Sequence, residues 1–376
     1  MKKTIKLFSL LASIALSGLS VPALADDAAA PKVTVGGLVD TYYSYNFTNS
    51  ANNVNGAGNG SLYGFPVSDD DYTLGLAELN TKITAGDASA NIVLMYGQTA
   101  AALYGVDYTA NWEGGLAVSS ANLTITKGQW TFMFGKYMTW VGNEVVESNL
   151  NMNYSRSILF YAIPLYHTGF SVGVAPSEQF GITAYVNNGW NETSSSYSYN
   201  DKTFGLQAKI TPAESNLSII LNGVFGPEPF GAVDLPTLVA EAIISYSGIK
   251  DFTLVLDSQF GNQTPKVGDA ASYLGFALYG QLMLSDGWGL ALRLEEVMNN
   301  GTDLLLGDGS SSGPGGIQAE YREATLTVQN QLTPNVLARL EGRFDTYLKG
   351  GVAQTAFGNG NADSQVTATG SMVFSF

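Results

Sequence analysis

Few residues of this 376-residue chain could do covalent chemistry. His167 is its one histidine, and cysteine is absent. With Ser171 or Ser157 and an asparagine, His167 has the residue types of a hydrolase triad. A triad is defined by geometry, however, and a lone histidine in a Tyr-His-Thr-Gly turn is more often a structural hydrogen-bonder. One histidine without cysteine makes no zinc-type ligand set, and there is no thiol nucleophile or disulfide framework. Asp69, Asp70 and Asp71 offer oxygen atoms of the kind Ca²⁺ takes, but an acidic solvated stretch reads the same way. The residues therefore point away from an enzyme and imply no cofactor and no metal.

The chemistry that remains is electrostatic. Glu144, Glu147 and Arg156 fall in one long connecting segment, and Arg293, Arg339 and Arg343 fall in segments of strict alternation. Carboxylates and guanidiniums facing each other across a narrow water-filled gap would set up a transverse field that orients polar solutes and ions. The alternative is that Arg339, Glu341, Arg343 and Glu295 pair with one another and fill a polar wall. Arg156 could brace its own segment by pairing with Glu78 or Asp40. Which holds depends on the elements that carry these residues.

Those elements are strands. In 336–345, Val336, Ala338, Leu340, Gly342 and Phe344 share one face, and Arg339, Glu341, Arg343 and Asp345 share the other, as side chains alternate along a strand. Segment 289–297 sets Leu290, Leu292 and Leu294 against Arg293 and Glu295, and 364–376 alternates in the same way up to Phe374 and Phe376. Sixteen such segments are expected, at approximately 33–47, 72–84, 88–98, 116–126, 130–138, 167–175, 180–187, 203–211, 217–226, 237–247, 252–261, 273–284, 289–298, 317–331, 336–346 and 364–376. Short turns such as Gly86-Asp87 and Thr333-Pro334-Asn335 alternate with long connections at 48–71, 99–115, 139–166, 188–202, 227–236, 262–272, 299–316 and 347–363. Short on one side and long on the other is the pattern of an up-and-down antiparallel transmembrane β-barrel with periplasmic turns and extracellular loops.

A soluble sandwich would show the same alternation, with the apolar face inside. Aromatics decide between them. Trp130, Phe180, Phe252 and Trp288 open strands just after short turns, Phe376 ends the last strand, and all lie on the apolar face. That is one membrane-interface girdle; Tyr43, Tyr45, Phe47, Phe225 and Phe260 at the opposite ends supply the second. The apolar faces are therefore assigned to lipid and the charged faces to a wet lumen. Sixteen strands leave room for an aqueous channel, whereas eight fill with side chains. The third long connection carries Trp140, Val145, Val146, Tyr154, Ile158, Leu159, Phe160, Tyr161, Ile163 and Leu165. Such an apolar loop should pack against something, most simply the inner barrel wall. Capping the rim or lying at a subunit interface are the alternatives.

Composition agrees. Apolar residues make up 45% of the chain and charged ones 13%, yet after residue 25 no apolar run has the roughly 20 residues a membrane helix needs. Residues 1–25 read as a secretory signal: Lys2, Lys3 and Lys6, an apolar stretch from Leu7 to Leu19, and Ala23-Leu24-Ala25 with cleavage after Ala25. Residues 26–376 would then form one barrel domain. Without those three lysines, 14 Lys and Arg stand against 32 Asp and Glu, a formal charge of −18, which argues against a nucleic-acid partner.

Several motifs carry a family resemblance. Gly135-Lys136, Gly142-Asn143-Glu144-Val145-Val146-Glu147-Ser148, Asn153-Tyr154-Ser155-Arg156-Ser157, Ala162-Ile163-Pro164-Leu165-Tyr166-His167-Thr168-Gly169 and Asn188-Gly189-Trp190 resemble the signature of the β-barrel porins called OmpL-like. Gly36-Gly37-Leu38-Val39-Asp40-Thr41-Tyr42-Tyr43 and Lys202-Thr203-Phe204-Gly205 resemble the same family. The resemblance implies a Gram-negative outer-membrane protein with a pore function and names no solute. The terminal Phe374 and Phe376 also look like the C-terminal signal read by the barrel-assembly machinery. The expectation is thus a porin-like channel in outer-membrane lipid that passes small polar solutes or ions, with a mild preference for cations. Its constriction would be Glu144, Glu147 and Arg156 with Arg293, Arg339 and Arg343. A surface or adhesive barrel and a barrel hydrolase using His167 are the competing readings, and trimerisation, as in general porins, is left open.

Overall fold

Sixteen antiparallel strands form in the computed structural model, which describes residues 30–48, 65, 69–104, 116–194, 202–230, 233–264, 270–285, 287–300, 318–349 and 362–376. In chain order they are β1 (Lys32–Asn46), β2 (Asp71–Ala85), β3 (Ala88–Tyr96), β4 (Ala117–Lys127), β5 (Trp130–Met138), β6 (Tyr166–Ser177), β7 (Phe180–Asn187) and β8 (Thr203–Ile210). There follow β9 (Leu217–Phe230), β10 (Val233–Ile249), β11 (Phe252–Gln263), β12 (Ala271–Met283), β13 (Trp288–Asn300), β14 (Gln318–Thr333), β15 (Val336–Lys349) and β16 (Ser364–Ser375). Each pairs with its neighbours in sequence, and β1 pairs with β16, so the sheet closes with no free edge. The segment assigned to a secretory signal, with Ala25, lies outside the described residues, as does most of the long connections at 48–71, 299–316 and 347–363.

The burial pattern is inverted relative to a soluble sandwich. On β13 and β15 the charged row faces inward and is covered, with Arg293 at 0% and Glu341 at 3% exposure. The apolar row faces outward, with Leu292 at 43% and Leu340 at 63%. An outer wall this apolar can be covered only by lipid. Trp130, Phe180, Trp288 and Phe376 are exposed at the short-turn end, and Tyr45, Phe47, Phe225 and Phe260 at the other, as the two-girdle reading requires.

Two expectations need correction. The connection expected at 227–236 is strand for most of its length, because β9 runs to Phe230 and β10 begins at Val233. Pro227, Pro229 and Pro236 look like breakers, but Pro227 stands opposite Pro236 in the ladder. Pro236 turns its carbonyl to Thr264 N (3.0 Å), on the side of β11. The missing donor therefore faces away from the β9–β10 pair, where it costs that ladder nothing. The second correction is a short helix, α1 (Gln98–Tyr104), that takes the last residue of the strand expected at 88–98 and opens the connection expected at 99–115. Seven residues are too few to show helical periodicity. The helix is held by packing, with Ala100 and Leu103 buried among Leu38, Leu76, Met95, Val146 and Phe160.

Closure depends on close approach at the last strand. Phe376 N donates to Gly37 O (3.1 Å), and Gly37 N donates to Phe376 O (3.2 Å). A Cβ at Gly37 would overlap the Glu78 carbonyl oxygen and the Phe376 ring. Gly37→Val should therefore reduce the heat-modifiable, folded band on a detergent gel. Gly342→Ala, where an added Cβ meets nothing, should leave that band unchanged.

Candidate functional site

The chain from 139 to 165, between β5 and β6, is irregular apart from two 3-10 turns, Ser148–Leu150 and Leu159–Ala162. Buried backbone amides and carbonyls need partners, and a segment without regular structure cannot supply them from within. Here the barrel wall supplies them. Glu341 on β15 accepts from Tyr154 N (2.6 Å) and Ser155 N (3.0 Å). Glu295 on β13 accepts from Ile158 N (2.7 Å) and Leu159 N (2.8 Å), at the start of the second turn. Glu241 on β10 accepts from Gly142 N (2.9 Å). Arginines serve the carbonyls: Arg339 donates to Ser148 O (2.5 Å) and Asn151 O (2.6 Å), Arg343 to Arg156 O (2.6 Å), and Arg293 to Ser155 O (2.7 Å).

The loop thus lies inside the barrel, anchored on walls far apart around it. On β1, Asp40 accepts from Ser148 Oγ (2.7 Å) and from the Tyr154 hydroxyl (3.0 Å). Burial first, and then the Asp40 carboxylate, push the Tyr154 phenol well above the usual tyrosine range, which keeps it a donor. Three apolar clusters complete the attachment. Ile158, Leu159 and Ala162 pack on Tyr273, Tyr279 and Val297; Val146 and Phe160 pack on Leu38, Leu76 and α1; Val141 and Ile163 pack on Val224 and Val239. Lumen-facing Ile243, an exception to the polar face of its strand, belongs to the first cluster.

The six residues read from sequence as a constriction are placed as follows. Glu144 does not face Arg293 across a gap. It is bonded to it, Arg293 Nη1 to Glu144 Oε1 at 2.7 Å, and both are buried. Arg293 also holds Glu323 on β14 (2.8 Å). Arg339, Glu341 and Glu295 do not pair among themselves; they bind loop backbone. Arg343 pairs with Asp345 (2.7 Å). Arg156 does not reach Glu78 or Asp40 in an ion pair; it donates to the loop's own carbonyls at Val145 (3.0 Å), Tyr154 (2.5 Å) and Val146. Glu147 is half-buried and lies beside the Glu78 carboxyl of β2. Below the loop, Lys32, Lys82 and Lys209 stand exposed on inward-facing strand positions at the periplasmic end. Glu241, Glu323 and Thr327 were not singled out from sequence. The alternation that puts Arg293 inward puts these wall residues inward too, so the signal was present without a partner to give it meaning.

His167 is fully buried, with Nε2 3.4 Å from Thr139 Oγ1 and Nδ1 3.2 Å from Gly189 O. Trp140 packs beside it and stacks on Tyr185 at 3.7 Å between centroids. Its ring nitrogens meet a threonine and a backbone carbonyl rather than Ser171 or Ser157. Asp69 and Asp70 accept from Asn46 N (2.6 Å) and the Tyr43 hydroxyl (2.6 Å), and no metal-ligand group of three occurs among the described residues.

A closed sixteen-strand barrel with a polar lumen, an apolar outer wall and a loop folded into its bore defines an outer-membrane porin-type channel. The chain belongs to the family described as "Putative beta-barrel porin-2, OmpL-like", whose model matches residues 32–376. Similar solved structures include the outer-membrane channel DcaP of Acinetobacter baumannii (TM-score 0.63, 11% identity, 92% of this chain and 98% of that one). An anion-selective porin from Comamonas acidovorans (TM-score 0.63, 12% identity, 92% and 100%) is also similar. So is the trimer form of OmpT from Vibrio cholerae (TM-score 0.60, 11% identity, 93% and 100%). At these identities the likeness extends to the fold. Comparison with curated sequences finds no match.

Removing one partner of a buried ion pair costs about 3–5 kcal/mol, because the other charge is left uncompensated. Arg293→Met strands Glu144 and Glu323 and should release the loop without opening the barrel. The Arg156–Ser157 bond, shielded in the parent, should then be cut by trypsin while the barrel stays heat-modifiable. Unchanged protection would show that the loop is held without Arg293.

Proposed function

We propose that this barrel is a passive-diffusion channel for small polar solutes or ions, mildly cation-preferring, with the third loop as its constriction. The observation that carries the reading is the charge buried where loop and wall meet. Among the described residues, Asp40, Glu144, Glu241, Asp257, Glu295, Glu323, Glu341 and Asp345 are buried there against Arg156, Arg293, Arg339 and Arg343. Carboxyl groups outnumber guanidiniums there two to one, so that even where neighbouring carboxyls share a proton the balance favours cations at the narrow part, where water is scarce and charges interact most strongly. The exposed lysines nearer the periplasm act in the wider part and are screened over about 8 Å at physiological salt.

The half-buried Glu147 and Glu78 are the carboxyls best placed to act on passing ions. Phe374 and Phe376, on the closing strand, are the proposed signal to the barrel-assembly machinery, and residues 1–25 the proposed export signal. A homotrimer is the proposed assembly, by analogy with the trimer form named for the Vibrio cholerae relative.

In a planar bilayer the protein should give stepwise conductance. In a salt gradient its reversal potential should indicate cations. Glu78→Gln with Glu147→Gln should shift that potential toward anions, and Arg339→Gln with Arg343→Gln should shift it toward cations. If neither pair moves it while both variants remain folded, the loop does not line the conducting path.

A further inference from the structure

Residues paired across neighbouring strands share a face, so one inward row can be followed around the wall. Thr131 on β5 pairs with Gly173 on β6, Gly173 with Thr183 on β7, and Thr183 with Gln207 on β8. The row goes on through Asn222 on β9 to Glu241 on β10. Glu241 holds the loop, so the whole row faces the lumen. Its exposure changes along the way: Thr131 and Thr183 are partly open, whereas Gln207, Asn222 and Glu241 are buried. On β4, Asn122 and Thr124 alternate with Thr126, the partner of Thr131, and so share its face. Asn91 of β3 stands opposite Asn122, and Met133 of β5 opposite Thr124; all four are partly open. The open groups occupy the periplasmic half of this wall, since Tyr137 and Tyr185 above them are buried.

Charge is distributed the other way. No inward position of β3 to β7 carries Asp, Glu, Lys or Arg. Opposite, Glu241, Asp257, Arg293, Glu323, Arg339 and Glu341 are buried. The loop is bonded to β1, β10, β13, β14 and β15, so it lies over the charged wall and leaves the neutral one bare. Its own uncovered side carries two aliphatic side chains, Val145 at 39% and Leu150 at 70% exposure. Aliphatic groups left open in a wet bore are a departure from a purely polar lining. The open bore is thus bounded by hydroxyls, carboxamides and a few apolar groups. Glu78 on β2, beside Glu147, and the lysines Lys82 on β2 and Lys209 on β8 stand only at its edges.

We infer that solutes travel along the β3–β7 wall and that this wall is a track for uncharged, polyhydroxylated solutes, small sugars and polyols. The match is one of chemistry. Thr hydroxyls and Asn carboxamides each donate and accept, as sugar hydroxyls do, so a sugar exchanges water for Asn91, Asn122, Thr131 and Thr183 without needing a charged partner. Its C–H faces meet Met133 and the aliphatic side chains of the loop. An ion gains less, because a neutral and partly aliphatic surface does not replace its hydration shell. The two effects act in different ways: the buried carboxyls bias small ions through their field, and the open wall selects larger solutes by contact.

The inference rests on the channel reading, and its test separates the two. Proteoliposomes are given labelled glucose, gluconate or glucosamine, which are alike in size and differ in charge. The parent should admit glucose about threefold faster than either charged solute, or more, since these lose hydration that the wall does not restore. Asn122→Asp with Thr131→Glu should abolish that lead and favour glucosamine. The position of the track is read separately, by single cysteines in the cysteine-free chain. A charged methanethiosulfonate should lower the unitary conductance of Thr131→Cys and Thr183→Cys. It should leave that of Ala277→Cys unchanged, because Ala277 is fully covered and packs with Ile158 and Leu159 of the loop. Stepwise conductance with glucose no faster than the charged solutes would overturn the track and spare the channel. Conductance that responds to the reagent at Ala277→Cys but not at Thr131→Cys or Thr183→Cys would overturn its position. A folded barrel with neither conductance nor uptake would remove the channel and the track together.

Discussion

Irregular backbone cannot lie buried without hydrogen-bond partners, and the interior of this barrel is arranged around that constraint. The loop from 139 to 165 brings unpaired amides and carbonyls into the lumen, and the wall meets them with carboxyl and guanidinium side chains. Carboxylates on β10, β13 and β15 receive amides, and arginines on β13 and β15 receive carbonyls. Hydrogen bonds to charged groups are roughly twice as strong as neutral ones, which suits a contact with no regular ladder to reinforce it. The inward charges of these strands therefore do more than make a wet surface; they are the receptacle for the loop.

Buried ion pairs are weak contributors to net stability but severe penalties when half-broken. Arg293 illustrates this. It is fully covered and joins Glu144 of the loop, Glu323 of the wall and the Ser155 carbonyl, so any displaced loop position leaves several groups unsatisfied at once. The apolar clusters add adhesion without direction, whereas the charges fix register. One well-defined loop position is what a constriction of constant width requires.

Much of this was legible in the sequence because a strand has only two faces. Alternation in 289–298 and 336–346 located β13 and β15 to within a few residues, and aromatics beside short turns told which face meets lipid. The apolar content of the third connection told that it is packed, and its inward placement follows in the structure. What alternation cannot convey is which inward residue meets which part of an irregular loop. Glu144 was therefore expected opposite the arginines and is bonded to one of them. The continuation of β9 and β10 was hidden by Pro227, Pro229 and Pro236, whose tolerance depends on the side to which the absent donor points. The helix α1 was hidden because seven residues carry no readable period.

The central claim is that the loop is fastened to the inner wall, and a chain without cysteine allows it to be tested cleanly. Asn153 Nδ2 lies 2.8 Å from Thr327 Oγ1 on β14. With Asn153→Cys and Thr327→Cys combined, the folded barrel in detergent is oxidised or treated with a short thiol crosslinker, digested and analysed by mass. The account predicts a covalent link between the loop peptide and the β14 peptide within one chain. Two cysteines that are each labelled singly in a folded barrel, with no link between them, would contradict it.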